Sequence, residues 1–381
     1  MNKAINKTLL LTTCVISGAF SLIISPAHAQ TVQQIQPNYY QQPPMAAVVT
    51  TQPVVVQPAV VQPVAVQPSF VSTSPVQSFF SPIADRIISD PMYLPLQGQV
   101  YGTTAYTYTD GFHDSYNHLG ANTSKNNNYG NTFTQSFAYG ITDDVDVVLS
   151  DSYAFGDTDS DSLRTGATTT SNSTGLTDPT LSLTYRYVDQ RHNAPFSADL
   201  FASYSPDMLI SRNAGGGHTG TEDSGRQTAT FRTDIGREMQ GLTLEGLAGA
   251  TFYGQRDFVA LSNNNNETDS PYWAYFLAAD SQVRLTERFS INGNVRWNIQ
   301  ENEHGANNNS GLVWKLDNPN NIDFTAAMNY HLIPNRLVAQ ASYDNIMYSH
   351  TATEYSVPAD NSEVKKQSSN VFGARMLYTF N

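Results

Sequence analysis

The sequence predicts an all-β fold: a transmembrane up-and-down antiparallel β-barrel of about twelve strands over residues 97–381. Ahead of it a disordered Pro/Gln/Val-rich segment and a short helix are expected. Three observations predict this layout. Residues 1–29 are built like a secretory signal, polar and apolar residues alternate with a period of two from Val100 to the last residues, and the links between these alternating stretches are short and long in turn.

Residues 1–29 carry Lys3 and Lys7, an apolar run over 9–24, and Ala27-His28-Ala29 before Gln30. Thr12, Thr13, Ser17 and Gly18 interrupt the run, which argues for a cleaved signal rather than a membrane-spanning helix. The single cysteine, Cys14, lies inside it; a lipoprotein would need a small residue in place of Thr13 and a longer apolar run. The mature chain therefore has no disulfide and no cysteine nucleophile or metal ligand. Without Lys3 and Lys7 it holds 18 basic against 33 acidic residues, which argues against a nucleic-acid partner. Charged residues make up only 14 % of the chain, with 21 Tyr and 18 Phe, and strands of alternating polarity let such a composition live in a membrane.

Residues 30–79 repeat Gln-Pro at 52–53, 57–58, 62–63 and 67–68 and contain no charged residue. Proline at this density blocks both helix and sheet hydrogen bonds and favours an extended spacer, about 3.1 Å per residue or roughly 150 Å in all. It is read as a periplasmic spacer, either a passive linker or a contact for the cell wall or another periplasmic partner. Over 80–96, Phe80, Ile83, Ala84, Ile87 and Ile88 keep helical spacing, Ser81 and Pro82 suit a helix start, and Pro91 a stop. A short amphipathic helix is expected here, packed on the barrel rim, lying on the membrane surface or plugging the lumen.

The alternation is clearest at 289–299, where Phe289, Ile291, Gly293, Val295, Trp297 and Ile299 oppose Ser290, Asn292, Asn294, Arg296 and Asn298. A helix cannot separate those sets, and a strand with one apolar face does. Strands are expected at 99–109, 129–140, 145–155, 179–188, 196–205, 227–237, 241–253, 272–285, 289–300, 321–332, 336–348 and 370–380. Short links such as 141–144, 286–288 and 333–335 alternate with long ones rich in Asn, Asp, Gly and Ser. Outer-membrane barrels place tight turns in the periplasm and long loops outside in this way.

Aromatic residues fall into two sets. Tyr187, Phe289, Tyr330, Tyr378 and Phe380 lie near the short-turn ends, and Tyr153, Trp273 and Trp297 near the long-loop ends. Two interfacial girdles are expected of a barrel, whereas a soluble sandwich needs no second belt. With the apolar faces on lipid, the lumen is expected to be lined by Arg186, Asp199, Arg232, Asp234, Glu245, Asp280, Arg284, Arg296, Asp323, Asp344 and Arg375. These charges either sort solutes along a narrow or gated path or cross-link the wall. No histidine stands at a recognisable spacing from a serine, so no catalytic residue is assigned and no enzyme activity, cofactor or metal is expected. Asp157, Asp159 and Asp161 alternate as in a calcium loop, but Ser162 and Thr168 stand where the glycine and the bidentate glutamate would be, and a solvated acidic loop is expected instead.

YGITDDVDVVLS (139–150), GLTDPTLSLTYRY (175–187) and DPMYLPLQGQVYG (90–102) together resemble the outer-membrane β-barrel family linked by name to the meta-pathway of phenol degradation, whose members are called transporters. Thr177 and Thr184 depart from the glycine and lysine of that pattern. The resemblance covers the barrel and implies an outer-membrane location and passage of small solutes, hydrophobic or aromatic ones among them. It supplies no catalytic residue. The closing FGARMLYTFN (372–381) is similar to the terminal aromatic signal read by the barrel assembly machinery, with Phe380 penultimate. The expectation is a passive channel or uptake porin of the cell outer membrane. The alternative is a structural or adhesive surface barrel with a filled lumen.

Overall fold

The computed structural model describes residues 87–208, 226–260, 265–307, 311–358 and 361–380. The signal, the Gln-Pro spacer and the first part of the expected helix lie outside the described residues.

The described chain is almost wholly strand. In order the strands are β1 (Val100–Asn117), β2 (Asn122–Thr142), β3 (Val145–Ser162), β4 (Thr168–Leu176), β5 (Thr180–Val188), β6 (Ser197–Ser205), β7 (Thr228–Glu238), β8 (Leu242–Tyr253), β9 (Arg256–Ala260), β10 (Asn265–Asp269), β11 (Tyr272–Thr286), β12 (Phe289–Gln300), β13 (Glu303–Asn307), β14 (Val313–Asp317), β15 (Asn321–Ile333), β16 (Leu337–Tyr348), β17 (Thr351–Tyr355) and β18 (Ser362–Phe380). Neighbours pair antiparallel, and β1 pairs with both β2 and β18, from Val100 opposite Phe380 to Asn117 opposite Ser362. The sheet is therefore closed, with no edge left open to hydrocarbon.

Twelve strands make the wall once β4 and β5 are counted as one interrupted strand, since both pair with β3. The shorter β9, β10, β13, β14 and β17 continue the sheet beyond the long-loop end, through the pairs β10 with β13 and β14 with β17. There Arg226 binds Asp269 at 3.1 Å and Glu303, and Arg256 binds Asp269 at 2.7 Å, tying these extensions together.

The two-residue period has the expected outcome. On β12 the odd positions face outward, with Ile291, Val295 and Trp297 exposed, while Ser290, Arg296 and Asn298 are buried inside. The same holds on β15, where Ile322, Phe324, Met328 and Tyr330 are exposed and Asp323, Asn329 and His331 are buried. This inside-out polarity, apolar out and polar in, is that of an outer-membrane barrel, and the protein is located in the outer membrane.

Three sequence expectations are corrected. Residues 87–96 form a series of turns rather than a helix, because Pro91 and Pro95 lack amide donors and the Oδ1 of Asp90 takes the amide of Met92 at 3.0 Å. Asp157, Asp159 and Asp161 belong to β3, not to a loop; Asp159 and Asp161 accept hydrogen bonds from Thr170 and Thr168 of β4, both at 2.6 Å. Likewise 126–128 lie in β2. Strands β1, β2, β3 and β18 run 18 to 21 residues, about twice the 9–11 that a bilayer needs, so their polar ends stand above the membrane.

The break between β4 and β5 has a local cause and a local remedy. Pro179 has no amide to offer the ladder, and β3 is left without a partner strand on this side where Thr177, Asp178 and Pro179 pass it. The Oδ1 of Asp151 takes the amide of Ser152 at 2.8 Å, and the amide of Thr177 donates to the carbonyl of Ser152 at 2.9 Å. Asp151 is exposed on the outward, otherwise apolar face between Leu149 and Tyr153. A charge on that face is unfavourable, and it is offset here by satisfying an amide that would otherwise be unpaired in lipid.

Candidate functional site

The wall encloses a lumen, and the first described residues lie inside its short-turn end. Ile88 packs with Val338 of β16 and Leu377 of β18. Gln282 of β11 donates to the carbonyl and hydroxyl of Ser89 at 2.9 and 3.0 Å, and the Ser89 hydroxyl lies 3.2 Å from Nε2 of His331 on β15. Asp90 accepts from the hydroxyl of Thr243 on β8. The carbonyl of Met92 accepts from Nη2 of Arg186 on β5 at 2.6 Å, and Tyr93 meets Tyr101 of β1 with ring centroids 5.3 Å apart.

A run of six residues, Ile88 to Tyr93, thus touches seven strands around the circumference. Ile88, Ser89, Asp90 and Met92 are all buried. The sequence allows this because glycine leaves room where the segment is closest: a Cβ on Gly236 would meet Sδ of Met92, and one on Gly140 would meet the carbonyl of Leu96. Of the three placements that the sequence leaves open for residues 80–96, the described part, 87–96, takes the one inside the lumen.

Of the eleven charged residues expected to face inward, Arg186, Asp199, Asp234, Glu245, Arg296 and Asp323 are buried. Arg232, Asp280, Arg284 and Asp344 are half-buried, and Arg375 is exposed, on the same face of β18 as the buried Leu377. Arg186 binds Asp199 through Nε and Nη2 at 2.8 and 2.9 Å. Arg232 binds Asp234 two residues along its own strand at 2.6 Å and stacks over Phe201 with its guanidinium carbon 4.2 Å from the ring centroid. The charges therefore pair along the wall at two of these points.

Above the segment lies a second feature. Tyr253, Phe276, Arg296, Asp323, Ile346 and Tyr348 line a small recess in the wall, with a cavity volume of about 40 Å³. Arg296 stacks over Phe276 at 4.2 Å.

Among the aromatic residues expected at the interfaces, Tyr153, Tyr187, Trp297, Tyr330 and Phe380 are exposed, and Trp273, Phe289 and Tyr378 half-buried. Tyr378 takes a hydrogen bond from Gln135 at 2.7 Å, and its ring meets that of Phe380 edge-on at 5.3 Å. At the short-turn rim, carboxylate and imidazole atoms of Asp144, Asp189 and His192 come within 4.8 Å of one another. The guanidinium of Arg191 lies 3.7 Å from Asp189 and already supplies positive charge there.

Ser89, Thr243, Gln282 and His331, through which this segment is held, are not among the site residues expected from the sequence. The alternation marks the last three only as polar positions, and nothing local tells which polar inward residue will meet the incoming segment.

No protein-family model matches the chain, and no curated protein matches it. Among solved structures it is similar to a COG4313 outer membrane channel from Pseudomonas putida F1, with a TM-score of 0.50 and 13 % identity, over 76 % of this chain and 99 % of that one. The transport unit of the autotransporter AIDA-I from Escherichia coli aligns with a TM-score of 0.44 and 9 % identity, over 74 % and 91 %. The TodX monoaromatic hydrocarbon channel gives 0.36 and 12 %, over 76 % and 91 %. The likeness at 0.50 is one of fold: this chain is an outer-membrane β-barrel.

Proposed function

We propose that the protein is a passive channel for small solutes whose lumen is closed at the periplasmic end by residues 87–97. The observation that carries this reading is the path of Ile88 to Tyr93 from β16 and β18 to β1, held by side-chain hydrogen bonds and one apolar cluster. Such a contact set is released without unfolding the wall. Twelve strands enclose more space than the eight whose interior side chains alone fill, and less than the sixteen to eighteen of an open pore. A channel partly filled by its own chain fits that size.

The expected solutes are small, hydrophobic or aromatic ones among them, as the resemblance of 139–150 and 175–187 to the phenol-degradation barrels implies. The inward charges then line the path, and the aromatic sets sit in the two lipid interfaces. In this reading the chain acts without catalysis or a cofactor; its partners are outer-membrane lipid, the barrel assembly machinery through the C-terminal strand, and a cell-wall or periplasmic component for residues 30–80. Single-channel recording in a planar bilayer tests the reading: the intact chain should pass little current, and deletion of residues 30–96 should raise it.

A structural or adhesive surface role has one observation in its favour, the polar extensions of β1, β2 and β3 above the membrane. Absence of conductance in both forms, with binding of whole cells to a surface lost on trimming residues 112–131, would favour it.

A further inference from the structure

We propose that Glu245 and Asp280, which face each other on the lumenal side of the wall, bind a hard divalent cation of the calcium class. The site needs only the folded wall and holds whether or not the barrel passes solutes.

Glu245 on β8 and Asp280 on β11 are directly opposite in the sheet register, and both strands turn these positions inward. Side chains in such a pair start about 4.5–5.5 Å apart at Cβ, close enough for two carboxylates to repel and close enough for them to share one ion. Glu245 is 6 % exposed, and its carboxylate has neither a hydrogen bond nor an ion pair among the described residues. A carboxylate buried to this degree is costly without a donor or a counter-charge. It is not walled in: Oδ1 of Asp146 and of Asp323 are sealed, but the oxygens of Glu245 are not, and Asp280 opposite it is half-buried.

The neighbouring charges leave this pair unanswered. Arg186 binds Asp199 through Nε and Nη2, and Arg232 binds Asp234 through the same two atoms. Asp199 and Asp234 are themselves opposite in register, so two arginines neutralise two acids. Arg296 stacks over Phe276, and among the described residues no basic side chain forms an ion pair with Glu245 or Asp280. The charges that act most strongly on Glu245 are Asp234, Asp280, Arg232 and Asp199, three acids against one arginine.

Two negative charges remain, which one divalent cation cancels. A monovalent ion would cancel half of that charge, and an anion would be repelled. The donors are carboxylate oxygens without imidazole or thiolate, which suits calcium rather than a softer transition metal. Two carboxylates offer about four oxygens and calcium takes roughly six to eight, so lumenal water reaching the half-buried Asp280 can complete the shell.

The test is isothermal titration calorimetry with calcium chloride on the full-length barrel folded in detergent, at fixed ionic strength in sodium chloride. One calcium per chain should bind in this way, and Glu245→Gln and Asp280→Asn should each weaken it at least tenfold. Asp159→Asn, which alters an acid on the part of β3 above the membrane, should leave it unchanged. Calcium should also raise the thermal midpoint of the unsubstituted barrel and of Asp159→Asn, but not of the two wall variants. Without calcium, Glu245→Gln should unfold at the same temperature as the unsubstituted barrel or higher, because it removes a repulsion. Should one wall variant fail to fold, judged by heat-dependent migration in electrophoresis, the other decides. No binding at millimolar calcium, as when a proton is shared by the two carboxylates instead, or binding that both wall variants retain would overturn the proposal. Because no current is measured, a failed channel reading leaves this result intact, and the converse also holds.

Discussion

Nη2 of Arg186 donates to the carbonyl of Met92 at 2.6 Å and to Oδ2 of Asp199 at 2.9 Å, so one guanidinium joins two wall strands and the segment that lies inside the lumen. Arg186→Gln should therefore change two properties at once. Conductance should rise, and stability should fall by about 3–5 kcal/mol because Asp199 is left buried without its partner. Ile88→Asn separates the two effects: it removes the apolar anchor against Val338 and Leu377 but touches no wall pair. Current should rise with the thermal midpoint of the barrel unchanged.

Asp90 should give the docking of this segment a pH dependence. Burial pushes its carboxyl above the ordinary range, while the Thr243 hydroxyl and the Met92 amide pull it down less strongly. A raised value means the docked segment binds its proton more tightly than the released one. Docking is then strongest below the ordinary carboxylate range and weakens as pH rises through the raised value. Current recorded from pH 4 to pH 8 should increase with pH, and Asp90→Asn should flatten that dependence.

Gly140 faces the carbonyl of Leu96 so closely that any side chain there would collide with it. Gly140→Val should displace the segment rather than the strand, because β2 is held by ladders on both sides. The expected result is raised conductance with normal assembly, read by planar-bilayer recording and by heat-dependent migration.

Asp151 tests the account of the β4–β5 break. Asp151→Asn keeps an acceptor for the Ser152 amide and should fold normally. Asp151→Leu makes the outer face more apolar but leaves that amide unpaired. If the amide matters more than the charge, Leu destabilises by about 1–3 kcal/mol in a urea titration of the barrel in lipid vesicles.

The wall was legible in the sequence because its signal is local: a period of two shows on every strand, and Arg296 beside Trp297 already says which face is which. The aromatic ends and alternating link lengths are local too. The closure was not, since Ser89 finds Gln282 and His331 across 193 and 242 residues. The helical spacing of Ile83, Ile87 and Ile88 is real, but Pro91, Pro95 and the inward side chains of seven strands determine the turns that follow. Strand ends above the membrane were missed because Asn126 and Asp159 look like loop residues, and only cross-strand partners such as Thr170 make them strand.

In the proposed channel, residues 87–97 close a lumen otherwise wide enough for solutes. Single-channel conductance of the full-length chain and of a form lacking residues 30–96 tests it most directly. Little current is expected from the first and a stable, severalfold larger conductance from the second; equal conductance in both, or none in either, would rule the closure out.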